Sequence, residues 1–175
     1  MWKTLILLVA VLMTACSQDA PEDQTVATQP PAVNMEPCED RTPEPPPQAE
    51  ASSVGNQKPK VQAPDGPPPC KLVVQDIVDG SGAEAEAGST LTVQYVGMSW
   101  STGQEFEASW GGPQPPTFQL SGVIRGWQEG LPGMKEGGRR QLIIPPGLAY
   151  GAQGSPPRIA PNETLVFVID LLKVA

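Results

Sequence analysis

The residues of this 175-residue chain best able to do chemistry are aromatic and stand beside turn glycines: Tyr95-Val96-Gly97, Phe106, Val123-Ile124-Arg125-Gly126-Trp127 and Tyr150-Gly151. The sequence contains no His. That removes the usual proton-transfer residue, the commonest metal ligand and every Ser/His or Cys/His dyad. No Gly-rich stretch follows a strand and opens a helix in the dinucleotide pattern. A net charge of -8 argues against nucleic acid, whose phosphates need clustered Lys and Arg. An apolar concave site with few polar groups suits a neutral ligand instead. One reaction that needs neither a proton donor nor a nucleophile is rotation about an X–Pro amide. Its barrier, about 18–20 kcal/mol, comes from the resonance that keeps the bond planar. A pocket that keeps water from the carbonyl favours the twisted bond, and a few placed hydrogen bonds hold the rotated peptide. No cofactor or metal is expected.

The scaffold for these residues must lie in 71–175, which holds every aromatic residue except Trp2. Leu72 to Val78 reads as a strand ending in the turn signal Asp79-Gly80-Ser81-Gly82. Thr90 to Gly97 alternates, with Leu91, Val93 and Tyr95 on one face and Thr92 and Gln94 on the other. Glu105 to Ser109, Thr117 to Leu120, Arg139 to Ile144 and Thr164 to Val174 are further strands. In the last, Leu165, Phe167, Ile169 and Leu171 share a face. Only Arg125 to Leu131 reads as helix, ended by Pro132-Gly133. The sum is an α+β domain, an antiparallel sheet with one short helix laid against it. Arg125, Lys135, Arg139 and Arg140 group around the helix and the strand after it. They read as solvated surface and strand-edge protection, with substrate or partner contact as the other reading.

Residues 1–15 read as an export signal whose apolar run, Leu5 to Met13, is shorter than the roughly 20 residues that span a bilayer. Leu12-Met13-Thr14-Ala15-Cys16 resembles the bacterial lipobox, which implies cleavage before Cys16 and acylation, palmitate included, on that residue. Several acyl chains there would anchor the protein stably. Ser17, in place of Asp, would direct such a lipoprotein to the outer membrane of a Gram-negative envelope, facing the periplasm. Residues 16–70 form the next segment; 17–70 has no aromatic residue and nine acidic against three basic residues. It reads as a disordered Pro-rich tether, unable to bury enough apolar surface to offset the entropy of ordering. Lacking apolar helical periodicity, it predicts a monomer. Cys38 and Cys70 either bridge, as an oxidising envelope allows, or stay as free or intermolecularly paired thiols.

Several motifs then occur in order: Gln94-Tyr95-Val96-Gly97, Gly103 to Trp110, Val123 to Gly130, Gly133 to Gly138, Ile144-Pro145-Pro146, Leu148-Ala149-Tyr150-Gly151 and Leu165-Val166-Phe167. Over Leu72 to Val174 the sequence resembles the FKBP family of peptidyl-prolyl cis-trans isomerases. The resemblance implies a five-stranded antiparallel sheet wrapped around one short helix. It also implies a proline pocket between them, proline-containing substrates and FKBP-binding macrolides as ligands. Carried over by motif, Tyr95, Phe106, Glu107, Trp127, Tyr150 and Phe167 would be the catalytic residues. Val123, Ile124, Ile159 and Phe118 would bind substrate. The Trp127 indole would floor the pocket, the Tyr150 hydroxyl would meet one substrate carbonyl and the Ile124 N–H another. Glu107 stands where the family has Asp, and Gly111, Gly112 and Pro116 stand where it often has Asp, Arg and an aromatic. In the loop after Tyr150, Arg158 reads as an exposed cation. Its other reading is a rim charge that disfavours basic substrates or recruits acidic ones. The alternative to an isomerase is a low-activity module of the same fold that holds proline-bearing segments.

Overall fold

The computed structural model describes Cys38, Asp40, residues 54–62 and residues 65–175. All of them lie in Val33–Ala175. The expected signal segment and the acylated Cys16 lie outside the described residues, as does most of 16–53.

Six strands and one helix follow in order: β1 (Val73–Val78), β2 (Thr90–Ser99), β3 (Glu105–Ala108), β4 (Thr117–Gln119), α1 (Arg125–Gly130), β5 (Arg139–Ile144) and β6 (Leu165–Val174). The sheet is antiparallel, with order β1-β5-β6-β2-β3 and β4 also paired to β2. β3 takes the Val96–Met98 end of β2, and β4 takes the Thr90–Thr92 end. The two short strands therefore share one edge position, and the sheet is five positions wide, as the resemblance implies. Alternation explains the inner face. Leu91, Val93 and Tyr95 of β2 and Leu165, Phe167, Ile169 and Leu171 of β6 are buried in one core with Leu142 and Ile144 of β5.

α1 closes that core, and two glycines one turn apart let it sit close. A Cβ on Gly126 would fall 2.3 Å from Ile144 Cγ2, and one on Gly130 would fall 2.7 Å from Leu142 Cδ2. The helix thus rests its backbone on β5 and buries Trp127 between them and the sheet. Arg140 ties down its far end, donating from Nη1 to the Gly130 carbonyl at 2.8 Å while its Nε meets Asp76 Oδ1 at 2.6 Å.

The two faces of β5 correct two expectations. Arg139 and Arg140 are not solvated surface: they are 0 % and 6 % exposed. Arg139 forks onto Asp170, Nε to Oδ1 at 2.5 Å and Nη2 to Oδ2 at 2.7 Å. A buried guanidinium is tolerable only when paired and hydrogen-bonded in this way. What buries it is the end of the segment read as a tether. The Gly55 N–H donates to Asp170 Oδ2 at 2.6 Å, and the Gln57 carbonyl accepts from Arg139 Nη2 at 3.3 Å. Lys58 pairs with Glu105 at 2.7 Å. Val61 packs on a second apolar cluster of Val73, Met98, Trp100, Ile143 and Val166. The Trp100 indole N–H donates to the Gly66 carbonyl at 3.1 Å. Residues 54–62 and 65–70 therefore form a strap over the sheet, and the expected boundary at residue 71 cuts through its packing. Composition misses this because the strap is held largely by polar contacts with the sheet, among them the Gly55 and Gln57 backbone groups and Lys58, with few apolar residues such as Val61 packed beneath. Both faces of β6 are buried as a result, from Leu165 through Leu171. Cys38 and Cys70 are joined as a disulfide, fastening the strap's far end upstream.

Candidate active site

Between α1 and the concave side of the sheet lies a cavity of about 340 Å³. Trp127 lines it although only 5 % exposed. The indole packs edge-to-face with three neighbours: Tyr95 at 5.5 Å, Phe118 at 5.9 Å and Phe167 at 5.4 Å between ring centroids. Such contacts add about 0.5–1.5 kcal/mol each beyond area burial and fix ring orientation. Among the described residues the indole N–H makes no hydrogen bond, so the ring offers an apolar plate.

The walls come from separate elements. β2 contributes Tyr95, β4 Phe118 and β6 Phe167, while Gly122, Val123 and Ile124 arrive on the turn before α1. That turn is pinned by Gln128, whose Nε2 donates to the Val123 carbonyl at 2.7 Å. Tyr95 is held through its backbone: its N–H donates to Ser109 Oγ at 2.8 Å, and the Ser109 hydroxyl is bonded to Gln94. Gly97 allows the rings of Phe106 and Phe167 to cross β2, since a Cβ there would lie 2.6 Å from Phe106 Cζ.

Three hydrogen-bond donors address the cavity, beside the Glu107 carboxylate that also lines it. The first is the Tyr95 hydroxyl. Burial, then the negative charge of Glu107, push the Tyr95 phenol up to about 12, with the nearby Arg158 acting in the opposite direction. Tyr150 is exposed and lines the mouth; burial of its ring and the Glu107 charge raise its phenol too. Both hydroxyls therefore keep their protons at neutral pH and act as donors. The third group is the Ile124 N–H. Ile124 is the residue before the first turn of α1, its carbonyl accepts from Trp127 and Gln128, and its N–H has no acceptor among the described residues.

Eight of the ten residues expected at the site thus meet around one cavity: Tyr95, Glu107, Phe118, Val123, Ile124, Trp127, Tyr150 and Phe167. Two stand apart from its lining. Phe106 lies behind Phe167, edge-on at 5.6 Å, and faces a second cleft. Ile159 is 4 % exposed and belongs to the core beneath. Gly122, Gln128 and Ser109 are supporting residues that sequence reasoning missed. The Gln128 contact reaches five residues back along a turn, a distance no helical spacing announces. Among the described residues no group of His, Cys, Asp or Glu is placed to hold a metal. What remains is a largely apolar hollow with hydrogen-bond donors at its rim, fitted to a neutral ring flanked by carbonyls.

Comparison with known proteins gives a consistent result. A family model described as FKBP-type peptidyl-prolyl cis-trans isomerase matches residues 82–172. A probable FK506-binding protein of Corynebacterium glutamicum is 53% identical over 116 residues, covering 66% of this chain and 98% of that protein. The FK506-binding protein of Streptomyces anulatus is 53% identical over 121 residues, covering 67% and 98%. Among solved structures, FkpA from Escherichia coli aligns with a TM-score of 0.55 at 46% identity, over 59% of this chain and 47% of that one. A peptidyl-prolyl cis-trans isomerase from Pseudomonas syringae pv. tomato aligns with a TM-score of 0.55 at 36% identity, over 59% and 75%.

Proposed function

We propose that this protein, which belongs to the family of FKBP-type peptidyl-prolyl cis-trans isomerases and is an enzyme of that type, accelerates X–Pro isomerisation in exported proteins while anchored to a membrane. The observation that supports the site assignment is the Trp127-floored cavity with its rim of donors. A prolyl ring set on the indole, between Tyr95, Phe118 and Phe167, leaves water behind and brings the preceding carbonyl with it. Twisting the amide destroys the resonance that a polar solvent favours, so an apolar surround lowers the cost of the twisted state. The Ile124 N–H and the Tyr150 hydroxyl would hold the flanking carbonyls at the twisted geometry, which is binding spent on the transition state. Uncatalysed isomerisation takes tens to hundreds of seconds, so a folding protein outside the cytoplasm gains from such help.

The same apolar cavity would take an FK506-type macrolide. The lipobox-like run ending at Cys16 supports an acyl anchor, and Ser17 supports an outer-membrane destination facing the periplasm; the chain works there as a monomer. A protease-free assay on Ala-Xaa-Pro-Phe peptides tests the reaction. The expected result is acceleration that is abolished in Trp127→Ala; peptide binding without acceleration would instead favour a holding module. Detergent phase partition of wild type against Cys16→Ser tests the anchor, and partition of both into the aqueous phase would refute it.

A further inference from the structure

Phe106 is a partition wall. One side of its ring leans on Phe167, and the other lines a second cleft of about 380 Å³. Two carboxylates line that cleft, and each is already held. Glu163, 6 % exposed, accepts from the Ser101 N–H at 2.9 Å and the Ser101 hydroxyl at 2.7 Å. Glu105 accepts from Lys58 at 2.7 Å. The cation of the cleft is Arg158, and its situation differs. Its side chain is 68% exposed, and the one carboxylate within 4 Å among the described residues is Glu107, at 3.9 Å. That distance is beyond a hydrogen bond. Arg158 therefore stands between the two hollows, Glu107 lining one and Arg158 the other. Its five N–H donors make no hydrogen bond among the described residues.

We propose that Arg158 is a specificity-determining residue, selecting substrates that carry Asp or Glu directly before or after the proline. Resting on the isomerase reading above, it has the substrate chain leave the Trp127 cavity across Phe106 and enter the second cleft. Successive Cα atoms are about 3.8 Å apart, so the side chain of a residue next to the proline reaches past the Phe106 ring and comes under Arg158. A carboxylate there meets a fork of donors suited to it in shape and charge. A Lys there meets a like charge. Exposed pairs of this kind change affinity by about 1.4- to 5-fold.

The test is kcat/KM for two peptide series, Ala-Xaa-Pro-Phe and Ala-Leu-Pro-Xaa, with Xaa as Glu, Leu or Lys. At low ionic strength the wild type should prefer Glu over Lys by about threefold or more in at least one series. Which series shows it reports the direction in which the chain lies. The preference should shrink in 1 M salt, where the Debye length falls to about 3 Å. Arg158→Ala should level it, Arg158→Lys should keep most of it, and Arg158→Glu should invert it. A wild-type ratio near one in both series, or a ratio that survives Arg158→Ala, overturns the assignment. Acceleration of the Leu peptides in that event leaves the isomerase reading standing. Failure to accelerate any peptide overturns both.

Discussion

The two tyrosines at the cavity make opposite kinds of claim. Tyr150 is exposed and acts on substrate, so Tyr150→Phe should leave stability nearly unchanged. The lost hydrogen bond, about 0.5–1.5 kcal/mol, should lower kcat/KM roughly two- to twelvefold. Peptide kinetics beside a urea titration separates the two effects. Tyr95 is bound into the fold, and its phenol lies up at about 12 against an unfolded value near 10. Between those values the unfolded chain has released a proton that the folded chain keeps. Stability intact below about pH 10 therefore falls as pH rises toward about 12, by up to roughly 2 to 3 kcal/mol. Urea midpoints measured from pH 9 to 12 should fall less steeply in Tyr95→Phe; equal slopes would refute the coupling. The cavity residues were legible in the sequence because their motifs stand in order at fixed spacing. Arg139 and Arg140 were not. Two adjacent arginines on a strand point to opposite faces, and nothing local shows that both faces of β5 are covered.

At the level of elements, the short helix and the strand beneath it depend on one close approach. Gly126→Ala would drive a methyl group into Ile144, an overpacking that costs about 1–3 kcal/mol. It should also displace Trp127, the next residue, and so lower activity. The cost should shrink when Gly126→Ala is made in an Ile144→Ala background, a coupling that a double-mutant cycle reads directly. Equal costs in both backgrounds would mean that the contact is relieved elsewhere. On the other face, Asp170→Asn leaves Arg139 buried without its counter-charge, at a cost of about 3–5 kcal/mol. The double change Arg139→Met with Asp170→Leu should cost less than that single one. Strand and helix positions followed from alternation and from the Pro132-Gly133 stop. The strap did not, because its order derives from the Asp170 carboxylate, the Arg139 guanidinium and the Trp100 indole, all supplied by the sheet.

For the molecule as a whole, the disulfide between Cys38 and Cys70, 32 residues apart, is the covalent fastening of the strap. Closing a loop of that size is worth roughly 3 to 4 kcal/mol in the chain-entropy account. Reduction, or Cys38→Ser with Cys70→Ser, should lower the urea midpoint, with tryptophan fluorescence as the readout. An unchanged midpoint would show that the strap holds without the bridge. The sequence left this pairing open, since spacing alone does not say whether two cysteines in a proline-rich stretch come within reach. The link also resets distances beyond the domain. Along the backbone, Cys16 and residue 54, where the strap begins, are 38 residues apart (54 − 16), a span of up to about 130 Å. Through the sulfur bond the route is 22 residues (38 − 16), up to about 80 Å. Residues 39–53 drop off that route. An enzyme hung from a surface by Cys16 would then patrol a layer about three-fifths as deep, meeting clients as they emerge rather than after they have diffused away.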